Sequence, residues 1–284
     1  MHNFDLHIAL RVYPGVSKTP FIFVDDKFRL FQTGLYSLVE ALQDINYKIT
    51  VILDRCPRQF HEVVKKAFSD MGNLTIFPLE DGGNAKSFLK QIEILLEKED
   101  SRIIMFAEDD YIYEGNNLSI LLDLLKAKRA DFVTPYDHID YYTLLIHKKK
   151  QYEVEFKGKK FVNVNSTCLT FLTTPEVLKA TKNVFETYIK KNSDASIFWA
   201  LTKEHVLSPG SFIKFLGEAF RGNSQYIKLF IKAWIHSPAQ IFFGKKYKIL
   251  APHPSLATHM EKGSLSPGID WDQKAADLIS RYEI

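Results

Sequence analysis

Three consecutive carboxylates, Glu108-Asp109-Asp110, follow the uncharged run Ile103-Ile104-Met105-Phe106-Ala107. A short apolar run of this kind reads as a strand buried on both faces, which delivers the three acids together at its carboxyl end. Like charges held that close raise one another's pKa unless a cation or a set of donors absorbs them. Hard divalent ions take oxygen ligands, commonly one or two carboxylates completed by nucleotide phosphates, so the spacing suits a cation bound together with a phosphorylated substrate. The plainer reading is a solvated acidic turn leading into a helix over Asn117 to Leu125, capped by Asn116 or Asn117.

The elements that must position these acids follow βαβ grammar. Strands are expected over Leu6 to Val12, Lys48 to Leu53 and Leu74 to Phe77, and helices over Phe31 to Gln43, Phe60 to Asp70 and Ala85 to Leu96. Ligands of open α/β sheets gather beyond the carboxyl ends of the strands, here Arg11 to Tyr13, Asp54 to Arg55, Glu80 to Asn84 and Glu108 to Asp110. From Asp131 the pattern turns β-rich, with strands expected over Asp131 to Thr134, Tyr142 to Ile146, Tyr152 to Phe156, Phe161 to Val164 and Thr167 to Leu172. Val154 and Phe156 alternate with Glu153 and Glu155, the mark of a sheet with one wet face. Lysines 148–150 and 159–160 read as solvated hairpin ends, and helices follow over Pro175 to Lys190 and Ala195 to Thr202.

The stretch Ser211 to Tyr247 is rich in aromatic and basic residues. Ile227, Phe230, Ile231 and Trp234 share one helical face, with Lys228 and Lys232 on another. Packing on the protein's own core is the plainer outcome. Peripheral contact of residues 226–234 with an anionic membrane is the alternative.

Composition narrows the classes further. With 284 residues and 46% hydrophobic content the chain can bury an ordinary core, and 37 basic against 34 acidic residues leave a net charge of only +3. Nucleic acid is not indicated. Met1 to Leu10 has neither a basic n-region nor a long apolar stretch, and Cys56 and Cys168 lie far apart, so a reducing, cytoplasmic location is expected. The signatures GxxxxGK[ST], GxSxG, HExxH and CxxC are absent, which leaves P-loop, serine hydrolase and zinc readings without local support. Gly82-Gly83-Asn84 remains as a flexible turn ahead of a helix, where backbone donors could approach a ligand.

The acidic triplet after the fourth strand of a βαβ half, with a β-rich second half, resembles a glycosyltransferase of the GT-A fold. Pro254-Ser255-Leu256-Ala257-Thr258-His259, followed by Gly263-Ser264-Leu265-Ser266, is similar to a run near the end of several N-acetylglucosaminyltransferase-like members. The resemblance implies one GT-A-like (Rossmann-like) α/β domain over 1–284: a mixed sheet flanked by helices, a nucleotide-sugar half at 1–130, and an acceptor half at 131–284 containing the basic and aromatic helical segment 211–247. It also implies transfer of a sugar from a nucleotide-diphosphate donor, a UDP-sugar foremost, to a hydroxyl of a glycan, lipid-linked or protein acceptor, with Mn²⁺ or Mg²⁺. By motif position Asp110 and His259 would hold the metal, Asp109 the ribose or the metal's hydration shell, and Glu108 would support them.

Arg11 and Tyr13 fall where that class places the nucleotide base. Asp54 could accept from uracil N3 or ribose, Arg55 could reach phosphate, and Asn84 joins the donor-binding set. An inverting transfer needs a base, for which Asp194 is the candidate, with Trp199 available to pack on an acceptor sugar. The rival explanation is that Ser193 or Asp194 caps that helix. Asp137 and Asp140 are lesser candidates for sugar contacts, and His253 is taken as structural. Two other functions fit less well. A sugar nucleotidyltransferase would need a glycine- and arginine-rich loop where Arg11-Val12-Tyr13-Pro14-Gly15 stands, and a non-catalytic carbohydrate-binding or scaffold protein would have kept the fold without transfer.

Overall fold

The computed structural model describes residues 3–16, 19–68, 72–98, 100–144, 146–147 and 153–284. Four parallel strands form one side of its main sheet: β1 (Phe4–Val12), β2 (Tyr47–Asp54), β3 (Leu74–Leu79) and β4 (Ser101–Glu108). Helices α1 (Lys27–Ala41), α2 (Arg58–Ala67) and α3 (Asn84–Glu97) connect them. Side chains of α1 and α2 share one apolar cluster with Leu6, Ile8 and Leu10 of β1, whereas Phe88 and Ile92 of α3 pack with Ala9 and Phe106 in another. The first two crossovers therefore lie on one face of the sheet and the third on the other. That reversal puts the topological switch point between β1 and β4, where α/β sheets bind ligands.

The remaining strands are β5 (Tyr111–Tyr113), β6 (Phe132–Val133), β7 (Glu153–Phe156), β8 (Lys159–Asn163), β9 (Phe171–Thr173), β10 (Ile249–His253) and β11 (Ala257–His259). The nine-stranded sheet runs in the order β3-β2-β1-β4-β9-β6-β10-β8-β7, and β11 and β5 form a separate pair. β9 is antiparallel to both β4 and β6, and β10 is parallel to β6, so β1, β2, β3, β4, β6 and β10 all point their carboxyl ends at one edge. This is the expected α/β class, a mixed sheet flanked by helices.

The second half departs from expectation in several places. Tyr142 to Ile146 was expected as a strand, but the chain forms a helical turn over Asp140–Thr143; position 145 lies outside the described residues. The N–H groups of Tyr141, Tyr142 and Leu144 are satisfied locally by His138, Ile139 and Asp140, which leaves none for a ladder. The strand expected over Thr167 to Leu172 is confined to β9, because Cys168 and Leu169 hold φ of 50° and 62°. The helix expected from Asn117 begins at Ser119 without a side-chain cap, since β5 consumes the residues just after the acids. Lys148 to Lys150 and the expected strand start at Tyr152 lie outside the described residues.

The basic and aromatic stretch is three helices, Pro209–Phe220, Gln225–His236 and Pro238–Phe243. Ile227, Phe230 and Trp234 pack on the second core as the plainer reading has it, but Ile231 is 46% exposed.

Candidate functional site

Strand register makes the first contact of the site. Arg11 stands beside Glu108 across β1 and β4, on the face covered by α3, and its guanidinium pairs with the Glu108 carboxylate. It also donates to the side-chain oxygen of Asn84 and, at 3.0 Å, to the Asn84 carbonyl at the start of α3. Glu108 accepts a second bond, at 3.2 Å, from Thr170 Oγ1, and Asn84 Nδ2 donates to Tyr188 Oη at 3.0 Å.

Asp109 is approached from the opposite face. Lys27, the first residue of α1, reaches its Oδ1 at 3.0 Å, and the Tyr13 N–H donates to Oδ2 at 2.8 Å. Asp110 faces His259, with Nε2 3.0 Å from Oδ2, and His259 Nδ1 lies 3.3 Å from Glu261. Antiparallel pairing of β11 with β5, which sets His259 opposite Tyr111, makes this contact across 149 positions of sequence. Asp109 and Asp110 side chains are only 10% and 18% exposed, so the triplet is no solvated turn.

Each acid therefore has its own cationic or cation-forming partner within the chain: Arg11, Lys27 and His259. Lys27 was not anticipated from sequence. A lysine in the first turn of a helix opposes the helix dipole, and that misplacement is the local signal that a carboxylate must meet it. Burial disfavours the charged forms of Glu108 and Asp109, and it prevails over Arg11 and Lys27 to raise both carboxyls above their ordinary range. Asp110 goes the other way. Burial opposes its charge, but His259, Lys27 and Arg11 together hold it well below the usual carboxylate range. His259 is raised in turn, since Asp110, Glu108 and Glu261 outweigh burial.

Between these groups lies a cavity of about 350 Å³ at the carboxyl edge of β1, β2 and β4. Arg11, Tyr13, Asp54, Arg55, Asn84, Glu108, Asp109 and Asp110 all line it, so the structure brings together all the proposed donor-binding residues and one of the two proposed metal ligands. His259 adjoins through Asp110. Asp54 is 3% exposed, and its carboxylate accepts from the Gly83 N–H at 2.6 Å and from Arg55 Nε at 2.9 Å. A Cβ at Gly82 would sit 2.2 Å from Asp54 Oδ1, and Gly83 holds φ of 97°, so this turn needs both glycines. Asp54 thus shapes the turn ahead of α3. The guanidinium of Arg55 sits 5.4 Å from the half-exposed Tyr13 ring.

Asp194 lies outside that cavity. It is the first residue of the helix Asp194–Thr202, capped by Ser193 as the rival reading has it, in a neighbouring depression of about 310 Å³ that shares Asn84 as a wall. Trp199 is fully buried and cannot stack on an acceptor sugar, because that helix is apolar on every side and is embedded in the second core. Asp137 is likewise fully buried, bonded to Tyr142 Oη at 2.8 Å and to His253 Nδ1 at 2.9 Å. It is an internal anchor rather than a sugar contact, and His253 is its partner in that network.

A divalent cation can be tested against this geometry. Among the described residues no group of three or more His, Cys, Asp or Glu is arranged around one point. Two donors are in place, however: Asp110 Oδ1 is buried without a hydrogen-bond partner, and Asp110 Oδ2 lies 3.0 Å from His259 Nε2. Asp110 and His259 could thus supply two ligands to a divalent ion.

No known protein family and no curated protein matches the chain. Among solved structures it is similar to TarS 1-349 of S. aureus in complex with UDP, at 15% identity and TM-score 0.46 over 69% of this chain and 54% of that one. It is similar also to the glycosyltransferase GlyE of Streptococcus pneumoniae TIGR4, at 12% identity and TM-score 0.45 over 99% of this chain and 64% of that one. A third likeness, to the 4-diphosphocytidyl-2C-methyl-D-erythritol synthase of Anaerococcus prevotii DSM 20548, has 12% identity and TM-score 0.37 over 68% of this chain and 81% of that one. The chain thus spans about half the length of the TarS 1-349 chain.

Proposed function

We propose that the protein is a nucleotide-sugar-dependent glycosyltransferase of GT-A type that uses a UDP-sugar as donor. The observation that carries this reading is the cavity at the β1/β4 switch point, lined by the three acids, the turn at Gly83-Asn84 and the Tyr13 ring, with His259 adjoining through Asp110. Tyr13 and Arg55 would stack on and flank the base. The N–H groups at the start of α3, after Gly82-Gly83, together with Lys27 would face the diphosphate.

Asp110 and His259 would hold Mn²⁺ or Mg²⁺. When bound, the ion supplies Lewis acidity that stabilises charge on a departing diphosphate. Arg11, itself held by Asn84, and Thr170 lock Glu108 in place, so that this acid is fixed before donor arrives. In an inverting transfer Asp194 takes the proton of the acceptor hydroxyl. The acceptor oxygen then bonds to the anomeric carbon as the bond from that carbon to the β-phosphate oxygen breaks, and the nucleoside diphosphate leaves with the electron pair. The acceptor would be a hydroxyl of a glycan, a lipid-linked sugar or a protein.

The test is a screen of nucleotide sugars for hydrolysis or transfer in Mn²⁺, with Asp110→Ala beside the unaltered protein. Turnover of one donor that falls at least about 100-fold in the variant supports the reading. Failure of every nucleotide sugar to bind or turn over refutes it. Turnover that survives Asp110→Ala removes Asp110 from the site.

A further inference from the structure

Nine of the fourteen large apolar side chains exposed among the described residues fall between Leu207 and Phe243, far more than scattered exposure would place in so short a stretch. On the helix Pro209–Phe220, Phe212, Ile213, Leu216 and Phe220 occupy one arc of about 100° and all face outward. Ile213 is 69% exposed and Phe220 84%. The helix Gln225–His236 turns Ile231 and Ile235 out, with Lys228 and Lys232 on the same side by helical spacing. Pro238–Phe243 ends in Phe242 and Phe243, the latter 89% exposed. Ring contacts join the three helices, at 5.4 Å for Phe212 with Phe230 and 5.0 Å for Trp234 with Phe242.

Charge says what covers this face. Between positions 207 and 247 there are six lysines or arginines and a single acid, Glu218, which pairs with Arg221. Lys214, Lys228 and Lys232 have no ion-pair partner among the described residues. A second copy of the chain laid on the same face would set these lysines against one another. An anionic surface with an apolar interior satisfies both features at once. No helix among the described residues is long and apolar enough to cross a membrane, so the contact is one that lies in the interface.

We infer that these three helices form a docking surface for an anionic lipid bilayer, with Phe220, Phe243, Ile213 and Ile235 entering the acyl boundary and Lys228 and Lys232 meeting lipid headgroups. The surface differs from the one suggested by the stripe Ile227, Phe230 and Trp234, which is turned inward. The inference does not depend on sugar transfer.

The experiment is sedimentation of the full chain with vesicles of phosphatidylcholine alone or mixed with phosphatidylglycerol, at low and high salt. Binding to the mixed vesicles at low salt, weakened by salt, is expected. Lys228→Glu with Lys232→Glu should weaken that binding by at least roughly 30-fold. Phe220→Ser with Phe243→Ser should weaken it about tenfold or more, with circular dichroism unchanged. The inference is overturned if the mixed vesicles fail to bind at low salt or if both double variants bind like the unaltered protein. It is equally overturned if light scattering finds a dimer that Phe220→Ser with Phe243→Ser dissolves, for then the face pairs with a second copy.

Discussion

Replacing Lys27 with Met removes the one side-chain cation bonded to Asp109 among the described residues and leaves a carboxylate that is 10% exposed. Breaking a buried ion pair by deleting one partner costs about 3–5 kcal/mol, because the survivor keeps its desolvation penalty and loses its counter-charge. Two features of the site move the figure toward the lower end. The Tyr13 N–H still donates to Asp109 Oδ2 at 2.8 Å, and the helix dipole no longer opposes a cation in the first turn of α1, which returns about 0.5 kcal/mol. The expected loss is therefore about 3 kcal/mol, or a fall in Tm of about 5 °C for a chain of this size. Asp109→Asn should cost less, since the long stem of Lys27 can carry its ammonium toward the cavity and water. The double variant Lys27→Met with Asp109→Asn should recover most of the loss. Thermal unfolding of the four proteins closes the cycle. If Lys27→Met costs under about 1 kcal/mol, or if the double variant is no more stable than Lys27→Met, the acids do not rely on internal cations and the electrostatic account of the site fails.

Other outcomes can be checked alongside. Gly82→Ala forces a Cβ to within 2.2 Å of Asp54 Oδ1, so it should lower stability by about 1–3 kcal/mol and weaken UDP binding measured by calorimetry, whereas Gly72→Ala, with open space around it, should do neither. His7 is buried and bonded to Thr50, and burial, with help from Lys48, lowers its pKa to about 4. The folded state thus binds the proton less well than the unfolded state. Stability is fully present above the ordinary histidine value of 6.5 and falls by about 3 kcal/mol as pH drops from there through 4. Urea unfolding of His7→Gln should show a shallower acid limb over that interval; an unchanged slope refutes the assignment. Asp194→Asn should abolish transfer to an acceptor, by about 100-fold or more, while leaving UDP affinity unchanged; an equal loss of both would place it in the donor site.

The second half of the chain was read less well than the first, and the reason is physical. β1, β2 and β4 are central strands whose uninterrupted apolar runs reflect burial on both faces, so their positions are written locally. β5, β9 and β11 have three residues each and acquire their conformation from distant partners. Short apolar pieces carry no period long enough to separate a strand from a turn, and the tyrosine pair of Asp140–Thr143 was misread on that account. Trp199 was misread because an amphipathic face and an all-apolar helix differ in what surrounds them, and surroundings are not local.

The amino-acid sequence by itself determined that an apolar strand would end in three acids, that a pair of glycines would open a helix nearby, and that a βα alternation would gather these ends on one edge. Tertiary structure alone decided how the acids are neutralised. Register assigned Arg11 to Glu108, the packing of α1 assigned Lys27 to Asp109, and the pairing of β5 with β11 assigned His259 to Asp110. Those contacts join residues 82 to 149 positions apart, and their strength comes from removal from water, a property of the assembled fold rather than of any local run.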